Sequence, residues 1–288
     1  MGGTKGVSSG IVRSFRTLPL EPREFSFYAL ADLHSNIRFL RSAMSMKQAQ
    51  EATFLLLLGD YPAQTSSGEA ALLQSIVQPI QDATRNRPCD LPMVVVAGNH
   101  DQLGMHAKDF YRLFRHPSGR TWHTFSCGNV FFIVLDNGSD HLDLPDDDFH
   151  NNTGMLAEEN AFLREVVASA EYRQARFRVL ATHIPPLDDV SPDIVTPLLE
   201  PLVHAEVKPD VMLNGHAHHY AKVENNRFAP TSEMCYLNGK RHIMELPWPT
   251  LISSLGTAIH CHATKDALEF QVLLPEGQGK LIDSLRIE

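Results

Sequence analysis

Short apolar runs alternate with longer stretches in which apolar residues recur every three or four positions. The runs at residues 25–31, 53–58, 93–97, 130–135, 177–181 and 210–213 are too short for buried helices and predict strands. Behind the first run, Ile37, Leu40, Met44 and Ala49 fall roughly at helical spacing. Residues 69–82 place Leu72, Leu73, Ile76 and Val77 on one helical face, and residues 155–170 do the same with Leu156, Leu163, Val166 and Val167. Pro88 and Pro92 break the chain before the third run. Alternation of strand and helix predicts a layered α/β domain. After Tyr220 the pattern changes. Residues 243–246, 251–254, 258–262, 268–274 and 281–287 predict antiparallel strands with no helix between them, completing a second sheet rather than a separate domain. No internal repeat is visible.

Polar residues punctuate five of these runs in a telling way. The runs end at Asp32-Leu33-His34, Gly59-Asp60, Gly98-Asn99-His100-Asp101, the lone His183 of Thr182-His183-Ile184-Pro185-Pro186, and Gly215-His216-Ala217-His218. Parallel strands end at one edge of a sheet, so side chains distant in sequence can converge there. Imidazole nitrogen with carboxylate or amide oxygen is a donor set for divalent transition metals. In extended backbone, positions two apart point the same way, so Asp32 and His34 can face one ion, and His216 and His218 share that spacing. A lone Asp60 suits a carboxylate that bridges two ions. Two ions about 3.5–4 Å apart share and activate a hydroxide and clamp the oxygens of a phosphoryl centre. If Asn99 faces a metal, His100 points elsewhere, toward substrate, where it can stabilise the transition state or protonate a leaving group. Asp101 can orient it.

Each motif alone carries little, since Gly-Asp marks any tight turn and a single histidine is usually structural. Their order, each behind a predicted strand, carries the weight.

Composition narrows the chemistry. The chain has 288 residues, 43% hydrophobic and 20% charged, with a formal net charge of −9. That charge argues against a protein whose main task is holding a nucleic-acid backbone, and no nucleic-acid partner is expected. It leaves room for a small phosphorylated substrate, because a metal pair would dominate the local field. Cys89, Cys127, Cys235 and Cys261 lack metal-ligand spacing and read as reduced, mostly buried thiols. The apolar runs at 54–58 and 130–135 are too short to span a bilayer. The first residues lack an apolar leader core, and Gly6 breaks a myristoylation pattern at Gly2. The acidic stretch 139–152, with Asp146, Asp147 and Asp148, reads as a solvated loop.

The ordered set of motifs resembles the calcineurin-like metallophosphoesterase superfamily over residues 25–220. The resemblance implies two mixed β-sheets packed as a sandwich flanked by helices, an α/β (layered α+β) fold of the metallo-dependent phosphatase type. It also implies two divalent or trivalent metal ions, manganese, iron or zinc. Asp32, His34, Asp60 and His218 would hold one ion, and Asp60, Asn99, His183 and His216 the other. His100 would be the catalytic histidine with Asp101 as its partner. The activity implied is hydrolysis of a phosphate mono- or diester by a hydroxide bridging the ions. Residues 154–163, the His183-Ile184-Pro185 segment and the strand-rich tail are similar to the purple-acid-phosphatase-like and cyclic-nucleotide-phosphodiesterase-like branches. Two departures stand out. The purple enzymes carry a tyrosine ligand three residues after the bridging Asp, where this chain has Ala63, and they lack the histidine present here as His34. A colourless site is therefore expected.

The expected organisation is an N-terminal arm at 1–24 and a catalytic domain at 25–288, tail strands included. Residues 14–19 resemble the last strand of a β domain that precedes the catalytic domain in some relatives, and read equally as an ordinary arm. The expected location is cytoplasmic if the chain is complete and periplasmic or secreted if it is truncated. Ser35, Asn36, Tyr61, His219 and Tyr220 are candidates to line the pocket. A nuclease and a non-catalytic scaffold on the same fold are the alternatives. Oligomeric state is not written in the sequence.

Overall fold

The computed structural model describes residues 17–19, 21–62, 68–87, 90–138, 152–185, 192–224, 227–229, 246–253 and 255–288. Strands β1 (Phe25–Leu30), β2 (Phe54–Leu57) and β3 (Met93–Val95) run parallel, with Phe27 opposite Phe54 and Leu55 opposite Met93. A second parallel set comprises β5 (Val130–Val134), β6 (Phe177–Ala181) and β7 (Val211–Asn214), with β4 (His123–Cys127) antiparallel at its edge. The tail supplies β8 (Ala221–Glu224), β9 (Arg227–Ala229), β10 (Thr250–Ile252), β11 (Ala258–Ala263), β12 (Leu268–Leu274) and β13 (Lys280–Ile287). The six-stranded sheet has the order β13-β12-β11-β1-β2-β3, and the seven-stranded sheet the order β4-β5-β6-β7-β10-β8-β9. Both are mixed, as expected.

The tail corrects one expectation. Its strands do not together complete a second sheet. β11 pairs antiparallel with β1, bringing β12 and β13 into the first sheet, while β10 enters the second sheet parallel to β7. The predicted strand at 243–246 falls largely outside the described residues.

Burial on both faces explains the continuous apolar runs. On β1, Phe25, Phe27 and Ala29 face the other sheet, and Tyr28 and Leu30 face the helices. Phe27 stacks on Phe54 at 5.4 Å and meets Phe132 of the opposing sheet edge-on at 5.6 Å, which ties the two layers by aromatic contact. Helices α1 (Ile37–Ser45) and α2 (Lys47–Glu51) lie beyond the first sheet. A continuous stretch follows as α3 (Gly68–Leu72), a π turn (Leu73–Val77) and α4 (Gln78–Ala83), then α5 (Ala107–Phe114). Their Phe39, Leu40, Met44, Ile76, Ile80 and Phe110 cover the outer face of the first sheet. Beyond the second sheet lie α6 (Asn152–Ala168), α7 (Ala170–Gln174) and α8 (Pro192–His204), where Leu163, Val166, Leu198, Leu199 and Leu202 pack on Phe131, Ile133, Leu180 and Met212.

The α8 helix was not legible because Pro197 and Pro201 lie inside it. Pro201 has no N–H to give the Pro197 carbonyl one turn back. Asn160 on α6 supplies the missing donor, Nδ2 to Pro197 O at 2.7 Å. Cys127 and Cys261 are buried free thiols, while Cys89 and Cys235 lie outside the described residues. Among the described residues, no helix is long and apolar enough to cross a membrane.

Candidate metal centre

The five motifs lie at the carboxyl ends of β1, β2, β3, β6 and β7, so two sheets rather than one deliver them. The ends are laced together by backbone bonds. Asp32 N donates to Gly59 O at 3.1 Å, His34 N to Asp60 O at 3.0 Å, and Gly215 N to His183 O at 2.9 Å.

The backbone there is left-handed, not extended. Asp32, His34, Ser35, Asp60, His216 and His218 all have positive φ, between 42° and 71°. Such angles cost energy in residues with a Cβ and concentrate at functional sites. They also correct the extended-strand argument for spacing. His216 and His218 do not face one point: His218 groups with Asp32, His34 and Asp60, whereas His216 groups with Asp60 and His183. Within each group the donor atoms lie within 4.8 Å of one another. Asn99 joins the second group, its Oδ1 being 3.1 Å from His183 Nε2 and 3.0 Å from His216 Nδ1. In the first group, His34 Nε2 and His218 Nε2 approach to 2.9 Å.

Asp60 is common to both groups. Its Oδ1 accepts the His100 N–H at 2.9 Å. Its Oδ2 is buried without a hydrogen bond, with His183 Nε2 at 3.3 Å and His34 Nε2 at 3.7 Å. A buried carboxylate oxygen aimed among imidazole nitrogens, with no N–H of good geometry, is left unsatisfied as a hydrogen-bond acceptor and is placed as a metal ligand would be. The residues present fit two cations. His183 Nδ1 lies 2.6 Å from Leu58 O, a contact that places its proton there and leaves Nε2 facing the cluster.

Burial and mutual charge set the titration of the cluster. Burial pushes the Asp32 carboxyl up to about 7, with the His183 charge opposing. Burial also works to raise Asp60, yet the charge of His183 outweighs it and holds this carboxyl well below the usual range. His183 responds in kind: burial works to lower it, and Asp60 carries it up to about 9. Burial pushes His34 down to about 4, and His218 down as well. The rings of the first group are thus held neutral, the form in which imidazole ligates a metal.

His100 stands outside both groups. Its ring packs edge-on against His34 at 4.9 Å, on the side of the first group. Asp101 does something other than orient it. Both carboxylate oxygens are taken by backbone amides: Oδ2 by Gly98 N at 2.8 Å and Asp60 N at 2.9 Å, and Oδ1 by Tyr61 N at 3.2 Å. Asp101, fully buried, pins the second motif to the third.

Three pocket candidates also have other work. Asn36 caps α1, accepting Phe39 N–H at 3.0 Å. Tyr61 is buried, its hydroxyl accepting Gly59 N–H and sharing its proton between the carbonyls of Leu57 and Val96. Tyr220 donates to Asp283 of β13 at 2.8 Å. Ser35 and His219 are exposed beside the motifs. Ala63 lies outside the described residues, as does most of the acidic stretch 139–152.

A buried acidic pair beside the cluster was missed. Asp136, just after β5, and Glu159, on α6, are fully buried. Glu159 Oε1 accepts the Asp136 N–H at 2.7 Å, and its Oε2 has no hydrogen-bond partner among the described residues. Nothing in a lone Asp or Glu marks it as buried, though Asp136 ends an apolar strand just as Asp32 does. Burial, then the Asp136 charge, pushes Glu159 well above its ordinary range, favouring the neutral acid. The unfolded chain releases this proton near the ordinary value and the folded chain only at higher pH. Stability is therefore lost as pH rises above that value. Glu159→Gln, which keeps the acceptor and cannot ionise, is expected to be more stable than the wild type at neutral and alkaline pH. Its gain in urea midpoint should shrink to nothing as pH falls below the ordinary glutamate range.

Two mixed sheets back to back, with Asp and His clusters where their strand ends meet, define a metallophosphoesterase-type protein. Residues 25–220 match the family model described as calcineurin-like phosphoesterase, and the chain belongs to that family. The family typically binds two metal ions. Solved structures share the fold. The GAP50 anchor in the inner membrane complex of Plasmodium aligns with a TM-score of 0.62 at 14% identity, over 93% of this chain and 89% of that one. A purple acid phosphatase from yellow lupin seeds gives 0.61 at 12% identity, over 94% of this chain, which spans 55% of the lupin chain. A dimetal phosphatase from Danio rerio gives 0.57 at 13%, over 93% and 99%. No curated protein matches the sequence.

Proposed function

We propose that the chain is a metal-dependent phosphoesterase that hydrolyses a phosphate mono- or diester. The observation that carries this reading is the sharing of Asp60 between two donor groups in a member of this family. Asp32, His34, Asp60 and His218 hold one ion, and Asp60, Asn99, His183 and His216 the other. The donors are nitrogen and hard oxygen without thiolate, which suits manganese, iron or zinc. When bound, the pair supplies an activated hydroxide near neutral pH and neutralises charge at a phosphoryl centre.

The chain's own groups do the rest. Left-handed backbone at five of these residues directs their side chains into the two groups. His100, bound through its backbone N–H to Asp60, carries its ring beside the first group, where it donates a proton to the leaving oxygen or to the developing charge. The net charge of −9 disfavours a polyanionic nucleic acid and leaves a small phosphorylated substrate as the partner.

Fold alone does not decide function, since one neighbour is described as an anchor and two as phosphatases. The test is metal content of the purified protein, with hydrolysis of a chromogenic monoester and a chromogenic diester before and after manganese loading. Two ions per chain and metal-dependent turnover are expected. His100→Ala should keep both ions and lose about 10²–10⁴-fold in kcat, the usual worth of a positioned proton donor. A reconstituted protein without bound metal and without turnover would return the chain to the scaffold reading.

A further inference from the structure

We propose that Asp136 is a positioning residue for His100 and Asn99, acting through Gln102 as one end of a buried strut between the second sheet and the turn at 99–102. The proposal rests on the phosphoesterase reading for its kinetic consequence and on geometry alone for the strut itself.

The turn needs outside support. His100–Gln102 is one turn of 3-10 helix, a form with poor internal geometry. Its bonds are long: Asp101 N to Gly98 O at 3.2 Å, Gln102 N to Asn99 O at 3.3 Å, and Leu103 N to His100 O at 3.2 Å. Asp101 anchors one side of the turn to the first sheet through Gly98, Asp60 and Tyr61. The other side is anchored by Gln102, whose buried Nε2 donates to Asp136 Oδ1 at 2.9 Å.

Asp136 is built to be a rigid acceptor. Besides Gln102, Oδ1 takes Gly138 N–H at 3.1 Å, and Oδ2 takes the Thr121 hydroxyl. Glu159 holds the Asp136 backbone N–H. The next residue extends the strut to the second metal group. Asn137 brackets Ile184, its Oδ1 accepting Ile184 N–H at 3.1 Å and its Nδ2 donating to Ile184 O at 2.7 Å. Ile184 follows His183 directly. Asp136 and Asn137 together therefore set the distance between the turn that carries Asn99 and His100 and the loop that carries His183. Those loops meet at the 3.1 Å contact of Asn99 Oδ1 with His183 Nε2. An error of about 1 Å in such a contact can cost on the order of a hundredfold in rate.

The test uses the manganese-loaded protein with Asp136→Leu, Gln102→Met and Asp136→Asn. Asparagine keeps an acceptor for Gln102 and can donate to the Thr121 hydroxyl. Amide hydrogen exchange of the peptide covering residues 96–105 reads the strut directly. Protection there should fall in Asp136→Leu and Gln102→Met and persist in Asp136→Asn. In the same order kcat should fall by about 10–100-fold, the range for losing a partner that supports a ligand or catalytic group, and recover with asparagine, with metal content retained. In a His100→Ala background, Gln102→Met should cost less than it does alone, because the part of its effect that is routed through His100 is already lost, while the part routed through Asn99 remains. Unchanged exchange in both disruptive variants, or an equal fall in kcat in both backgrounds, overturns the proposal. A wild type that turns over no ester while Gln102→Met still loses protection overturns the phosphoesterase reading and leaves the strut standing.

Discussion

Asp60→Asn is expected to abolish binding at both metal positions together, with stoichiometry falling from two ions per chain to below one. An asparagine keeps the shape, and its oxygen can still accept the His100 N–H. What it loses is the charge and the second oxygen that both groups share. Losing a residue that only supports a ligand costs about 10–100-fold in affinity or activity, so losing the shared ligand should cost more than roughly a hundredfold in turnover. Stability provides an independent readout. An ion present at about a thousandfold over its dissociation constant stabilises the folded chain by about 4 kcal/mol. Manganese should therefore raise the Tm of the wild type, and chelation should reverse the gain. The Tm of Asp60→Asn should barely respond to either. A variant that still binds two ions, measured by elemental analysis after gel filtration, would remove Asp60 from the bridging position.

The residues that the structure gathers into the two candidate groups were legible because metal chemistry restricts residue types, and parallel strands restrict where those types can meet. Asp32, His34, Asp60, Asn99, His183, His216 and His218 could be picked out one strand end at a time. The grouping was legible through the resemblance, which put His218 with Asp32 and His34 and put His216 with His183. Spacing alone did not give it: extended backbone put His216 and His218 toward one point, but positive φ at both turns them to different groups. A left-handed residue with a side chain leaves no local sequence signal, since tertiary contacts impose it. Asp101 was found for the wrong reason: adjacency to His100 suggested a ring partner, whereas its oxygens are taken by backbone amides two loops apart. The strands of the tail were largely found but misassigned, because alternation reports that a strand is half buried and not which sheet it joins. Pairing of β11 with β1 is a contact across most of the chain. The buried acids Asp136 and Glu159 were invisible for a related reason, as the packing that buries them and the hydrogen bonds they make are assembled only by the fold.

Gly59→Ala is expected to damage fold and site at once, although Gly-Asp is the least distinctive of the five motifs. Two independent demands fix glycine there. Its φ is +93°, a region that residues with a Cβ rarely adopt. A Cβ built on it would also lie 2.4 Å from His183 Nδ1, 2.6 Å from His183 Cγ and 2.9 Å from Gly98 Cα. Neither neighbour can yield cheaply. His183 is fully buried and fixed by Leu58 O, and Gly98 is itself hemmed in, since a Cβ there would meet Asp60 N at 2.4 Å. Overpacking costs about 1–3 kcal/mol and a left-handed backbone about 1–2 more, so a loss of about 2–5 kcal/mol is expected in urea titration of the metal-free protein. The lower end of that range leaves a folded protein in which the His183 ring has moved. Such a protein should bind the ion of the His183 and His216 group far more weakly while keeping the ion of the His34 and His218 group. One ion per chain, with turnover lost, would separate this displacement from simple unfolding. Full stability with two ions would show that the close approach of Gly59 to His183 is not what holds the ring in place.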